Sequence, residues 1–408
     1  MVDDERRNEV EDELRRQAKK SFDTGMTAFR RGDYLEALSA LDDALELCQD
    51  ISDSECGQAD CLHSSGIVLG EMGDLREALG CYEQALVLYR EVPGNECGQA
   101  DCLYNSGVAL GGLGDSRGAS ECYERALILF QGVPDSECVQ AECPFNRGAM
   151  LNELGDWWGA LGCFEQSLTL FQGVPGSERE QADCLYGSGV SLSELGDCWG
   201  ALGYFDRALV LLDKGVVEAD WAEAERTGAR CLQGIGDCLV ELNEAVFPDH
   251  FARALEVFQR PEHVDHTKAD QASCLRSIGN GRSATGDLNG AVEAYQQAQD
   301  LYRQVGQPER ATEINVPLAR VLKRKAATLD SIFERLALLE ESLNLTIEAA
   351  LSLDRARFRL ERLDDRQRWF QARARSTMDL ALEVAAELGR PHLISDLIAT
   401  WRTVGTLD

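Results

Sequence analysis

Apolar and small residues recur along most of this chain at helical rather than alternating spacing. In residues 97–133, Leu103, Gly107 and Leu110 fall at i, i+4 and i+7. Beyond a Gly114-Asp115 pair, Ala119, Tyr123, Ala126 and Leu127 share a second face. Asp115 stands where the N-cap of a helix belongs, with a carboxylate able to accept otherwise unpaired N–H groups. Gly114 supplies the backbone freedom that ends the preceding helix. The stretch predicts a helix, a tight turn and an antiparallel helix.

The same pattern returns at a fixed interval. Shifted back by 41 residues, 22 of the 37 residues recur in 56–92, and the frame returns again in 138–174 and 179–213. A fixed period in this range predicts a stacked array in which each repeat is one supersecondary unit. Gly107 and Ala119 let the two helices of a unit approach closely, with Tyr123 filling the space beside them. The trio recurs as Gly66/Ala78/Tyr82, Gly148/Ala160/Phe164 and Gly189/Ala201/Phe205. Pro93, Pro134 and Pro175 are expected to stop the second helices, and Asn95, Ser136 and Ser177 to cap the first helices that follow.

The first-helix Gly, the Gly-Asp turn, the second-helix Ala, the aromatic four residues later and the Ala-Leu beyond it resemble the tetratricopeptide repeat (TPR). The period is 41 rather than the usual ~34. The resemblance implies an all-α, right-handed superhelical solenoid of helix-turn-helix repeats whose concave groove is lined by first helices. It implies no particular ligand.

The frame extends in both directions. Residues 10–31 and 34–48 make a first pair around Gly32-Asp33, with Gly25 in the Gly slot. In the sixth unit Cys231 and Gly236 keep the frame, the turn is expected at Asn243-Glu244, and an insertion at 246–250 delays Phe251. The seventh returns to pattern with Gly279, Gly286-Asp287, Ala291 and Tyr295. A TPR array of about seven helix pairs is therefore expected over 1–305. A helical C-terminal region, 306–408, follows as degenerate repeats or a cap, with Pro317 breaking its first helix. Within it, residues 373–405 loosely resemble the helices that precede the CHAT peptidase domain in actinobacterial TPR proteins, without a catalytic motif.

Charge narrows the partner. The chain carries a formal net charge of -31. Residues 1–32 and 303–408 are nearly balanced, whereas the repeats between hold 15 basic against 47 acidic residues. Direct nucleic-acid binding needs clustered Lys and Arg and is disfavoured, while a basic partner is favoured. The N-terminus is charged throughout and no apolar run reaches membrane-spanning length. With 15 cysteines and no secretory signal, reduced thiols in a cytoplasm are expected.

Candidate binding residues lie on the first-helix face that Leu103, Gly107 and Leu110 leave open. In the second unit they are Asp60, His63, Ile67 and Glu71; in the third Asp101, Tyr104 and Val108, then Gly112; in the fourth Glu142, Phe145 and Glu153, with Ala149 between; in the fifth Asp183, Tyr186, Val190 and Glu194. Stacked, they form rows of acid, aromatic, aliphatic and mostly acid, which suits an amphipathic segment carrying Lys or Arg. The alternative is that the aromatics pack against neighbouring first helices and the acids are solvated. Trp158 and Trp199 share a slot at the start of second helices, either covering a partner or packing under the inter-repeat loop.

Chemistry is sparse. The cysteines follow the repeat (Cys61, Cys102, Cys143, Cys184, Cys231 and Cys274 share one slot) and read as small buried residues copied by duplication. No CxxC pair, phosphate loop or dinucleotide fingerprint occurs, and His263 and His266 have no third ligand in view. No metal, cofactor or catalytic residue is expected. The leading expectation is a non-catalytic scaffold or adaptor holding a basic or amphipathic protein segment in an acidic groove. The alternatives are the regulatory TPR half of a CHAT-type peptidase system and a structural oligomer.

Overall fold

In a computed structural model of the protein, residues 2–215, 221–244, 247–260, 264–357 and 375–397 are described, and among them helices joined by turns are the only regular elements. The chain divides into two compact units, Met1–Pro175 and Gly176–Asp408.

The first unit holds four helix pairs: α1 (Val2–Arg31) with α2 (Tyr34–Gln49), α3 (Glu55–Met72) with α4 (Leu75–Glu91), α5 (Glu96–Gly112) with α6 (Ser116–Phe130), and α7 (Glu137–Leu154) with α8 (Trp157–Phe171). Each second helix buries one stripe. In α4 it is Ala78, Tyr82, Ala85 and Tyr89; in α6, Ala119, Tyr123, Ala126 and Phe130. Steps of four, three and four residues keep that stripe on one face.

Close approach within a pair depends on the glycine slot. A Cβ on Gly107 would stand 2.8 Å from the Tyr123 ring, and on Gly66 2.5 Å from the Tyr82 ring. The turns reverse through Gly32, Gly73, Gly114 and Gly155, whose φ values of +81°, +87°, +83° and +76° place them in the left-handed region.

Capping divides the repeats. Asp115 and Asp156 accept from Gly118 N at 2.9 Å and Gly159 N at 3.1 Å, whereas Asp33 and Asp74 make no such bond. The residue three positions on decides this. It is Gly where the cap forms and Glu36 or Glu77 where it does not; a Cβ on Gly118 or Gly159 would lie 2.4 or 2.7 Å from the capping carboxylate, so a residue with a side chain there crowds the cap out. Asp33 turns instead to Arg31 at 3.3 Å.

The expected caps at Asn95, Ser136 and Ser177 are corrected: none of these side chains caps its own helix. Ser136 Oγ instead donates back to Val133 O at 2.7 Å and Phe130 O at 3.0 Å, and Gln140 Nε2 also donates to Phe130 O at 3.0 Å. The carbonyls that end a helix lack intrahelical donors, and these side chains supply them.

The second unit continues with α9 (Glu178–Glu194) and α10 (Cys198–Gly215), α11 (Trp221–Glu241) and α12 (Phe247–Phe258), and α13 (Val264–Thr285) and α14 (Leu288–Gln304). Gly189, Gly236 and Gly279 lie against Phe205, Phe251 and Tyr295 as in the first unit. The irregular turn falls at Asn243, with φ +58°, as the register of Cys231 required. Beyond it come α15 (Pro308–Glu313), α16 (Asn315–Ala326), α17 (Ile332–Arg357) and α18 (Arg375–Glu387). The chain breaks at Ile314, three residues ahead of Pro317, which therefore sits in the first turn of α16, where no N–H is needed. Ala319, Leu339 and Leu343 pack with Leu380, Ala381 and Val384 in one core. His263, most of the Arg-rich stretches at 355–362 and 366–373, and residues 398–408 lie outside the described residues.

Candidate functional site

In the first unit the predicted rows form a ladder between successive first helices. Tyr104 of α5 donates its hydroxyl to Glu142 Oε2 of α7 at 3.0 Å and accepts from Asn146 Nδ2 at 3.1 Å. One step back, Asn105 Nδ2 and His63 Nε2 of α3 are 2.9 Å apart. Each ring also meets the aromatic of its own second helix. His63 and Tyr82 centroids are 5.8 Å apart, and the Tyr104–Tyr123 and Phe145–Phe164 pairs meet edge-on at 5.6 Å. His63, Tyr104 and Phe145 are half-buried, so this row both builds the stack and faces outward.

The acid rows are engaged as well. Asp60 accepts from the Tyr89 hydroxyl at 2.6 Å, and Glu153 from Ser116 Oγ at 2.6 Å. Glu71 and Glu153 are exposed. Burial holds the His63 imidazole below its ordinary range and pushes the Asp101 carboxyl up. Burial likewise raises the Tyr104 phenol, with Glu142 beside it acting in the same direction. In the aliphatic row Ile67 is half-buried, while Val108 is 49% exposed beside exposed Gly112.

In the second unit α9 carries the same set, with Tyr186 against Phe205 at 5.9 Å between centroids. Asp183 is already held there, by Arg179 Nη1 at 3.1 Å and Thr227 Oγ1 at 2.6 Å. Burial raises its carboxyl and pushes the Tyr186 phenol up to about 12.

After α9 the pattern changes. Arg230 of α11 holds Asp270 of α13 through two bonds of 3.1 and 3.2 Å. Gln233 Nε2 donates to Ser273 at 3.0 Å and Ser277 at 3.1 Å, and Ser277 donates to Asp237 at 3.0 Å. Registering on Cys231 puts Arg230, Gln233, Asp237 and Glu241 in the four slots, a signal that stopping at the fifth unit passed over.

Trp158 and Trp199 are 69% and 68% exposed, so neither packs under a loop. The shared cysteine slot is buried throughout, but Cys97 and Cys138 are exposed, a correction to the uniform small-core reading. Their slot falls in the first turn of α5 and α7, before the helix meets its neighbours.

The tetratricopeptide repeat family matches residues 23–91, 58–131 and 140–214. These segments are tetratricopeptide repeats. No curated protein sequence matches the chain. Among solved structures, the apo form of RapI is 17% identical with a TM-score of 0.56, covering 71% of this chain and 99% of its own. A Rap protein complexed with Competence and Sporulation Factor is 16% identical with a TM-score of 0.53, covering 91% of this chain and 99% of its own. At such identities the likeness is one of fold: TPR-type helix pairs. The family match ends at residue 214, so the CHAT likeness of residues 373–405 rests on sequence alone.

Proposed function

We propose that this TPR protein is a non-catalytic interaction scaffold that holds a basic, amphipathic segment of another protein against the first helices of its N-terminal unit. The observation that carries this is Val108: an apolar side chain 49% exposed, in a row with Ile67 and flanked by the exposed carboxylates Glu71 and Glu153. An apolar strip rimmed by acids fits a segment with alternating apolar and Lys or Arg contacts. The fold supports the reading, since a Rap protein of similar fold is complexed with Competence and Sporulation Factor. Bonded carboxylates such as Asp60 and Glu142 keep lone pairs for a cation. Asp183, Tyr186, Val190 and Glu194 extend the same residue types into α9, but Arg179 already neutralises Asp183.

The test is fluorescence anisotropy with a panel of basic amphipathic peptides and their acidic counterparts. Val108→Asp should weaken basic peptides at least tenfold, and Val87→Asp, at an exposed second-helix position, should not. Affinity should fall as salt shortens the Debye length below its ~8 Å physiological value. Equal binding of acidic peptides, or an inert Val108→Asp, would end the proposal.

A second reading, self-association, is favoured by the exposure of Trp158 and Trp199. A monomeric mass by sedimentation at high concentration, unchanged in Trp158→Ala, would dismiss it.

A further inference from the structure

The first repeat differs from its successors at one buried position. The last buried residue of α4, α6 and α8 is Tyr89, Phe130 and Phe171, and in α2 the same slot holds Cys48. In the second repeat the Tyr89 ring fills the space against Gly98 of the next first helix, where a Cβ would stand 2.8 Å from the ring. In the first repeat Gly57 takes the place of Gly98, and the nearest atom to its notional Cβ is Cys48 Sγ at 3.3 Å. A ring is missing there, and the space is not closed by the neighbours. A cavity of about 300 Å³ remains, walled by Ala18, Phe22, Cys48, Ile51 and Cys61. Partial relaxation around a deleted side chain is the usual outcome in a stacked core.

The rim has its own chemistry. In the second repeat Tyr89 donates its hydroxyl to Asp60. Counting back 41 residues, the equivalent of Asp60 is Lys19, and Lys19 lines this cavity. Arg15 lies at the same rim, bonded to Ser52 O at 3.4 Å. Asp53 and Asp60 also reach it, Asp60 being occupied by Tyr89. The thiols of Cys48 and Cys61 are polarisable walls suited to the edge of an aromatic ring.

We propose that this cavity binds a small aromatic acid, one six-membered ring with a short carboxylate arm. The ring takes the place that Tyr89, Phe130 and Phe171 fill in the later repeats, and the carboxylate meets the Lys19 ammonium. The site meets the peptide-binding face at Asp60, which reaches its rim, but uses neither Val108 nor Ile67 and does not depend on peptide binding.

The experiment uses the full chain with 4-fluorophenylacetate as probe, followed by fluorine NMR, with neutral 4-fluorobenzyl alcohol in parallel. One saturable site is expected, at least fivefold weaker for the alcohol and for the acid with Lys19→Gln. Cys48→Phe should abolish binding and raise the melting temperature, because the missing ring is restored. Cys48→Leu, a milder filling, should weaken binding if the phenylalanine variant does not fold. No saturable binding, or undiminished binding in the filled variant, overturns the proposal. So does undiminished binding in Cys48→Leu where Cys48→Phe does not fold, or a lower melting temperature in a Cys48→Phe variant that does fold, which would mean the cavity is not ring-shaped. Equal affinity for acid and alcohol overturns the role of Lys19.

Discussion

Asp237 shows how a single slot changes character along the array. It occupies the position of Val108 and Val190, and burial pushes its carboxyl up to about 6, with Ser277 and Arg276 acting in the opposite direction. A carboxyl whose pKa is higher in the folded state than its ordinary 3.8 binds its proton more tightly when folded. Its contribution to stability is complete below about pH 4 and is lost as the pH rises through about 6. Asp237→Asn still accepts the Ser277 hydroxyl but has no proton to lose. Thermal melts at pH 4, 5, 6 and 7 should show a downward slope in the native chain that is flatter in the variant. Parallel slopes would place the titration elsewhere.

At the scale of one helix, the capping aspartates divide into two sets with the same residue and the same turn. Asp156 accepts from Gly159 N, while Asp74, with Glu77 three residues on, caps nothing. Removing a working N-cap costs about 1 kcal/mol. Asp156→Ala should therefore lower unfolding free energy by about that amount, and Asp74→Ala by no more than a few tenths of a kcal/mol. Chemical denaturation of both variants checks the contrast, and equal losses would show that the turn, not the cap bond, carries the effect. The capping Gly three residues on is thus part of the helix start, since a Cβ on Gly118 would lie 2.4 Å from the Asp115 carboxylate.

Across the whole molecule, burial sorts the thiols. Cys61, Cys102, Cys143, Cys184, Cys231 and Cys274 are at most 2% exposed, and burial pushes the Cys102 thiol up to about 12. Such groups react only when the stack opens. Cys97 and Cys138 are exposed. Native-state labelling at pH 8 should show a fast phase removed by the double variant Cys97→Ser, Cys138→Ser, and a slow remainder that accelerates in denaturant. Fast labelling of the shared slot would mean that the pairs open far more readily than their packing indicates.

The sequence alone determined the repeat, the helix pairs, the glycine slots and even the displaced turn at Asn243. All of these are local: a period, a left-handed turn, or a small residue opposite a ring in the same pair. It did not determine where Ser136 points, because the carbonyls it serves are Phe130 O at the end of the preceding helix and Val133 O in the turn after it. It also left open whether the aromatic row faces a partner or a neighbour, and the structure shows Tyr104 bonded to Glu142 of the next first helix yet half-buried. The ion pair of Arg230 with Asp270, and the cavity beside Cys48, arise only when successive first helices stand side by side. Forty residues of intervening chain separate such partners, so no local rule relates them, and stacking alone decides which side chains meet.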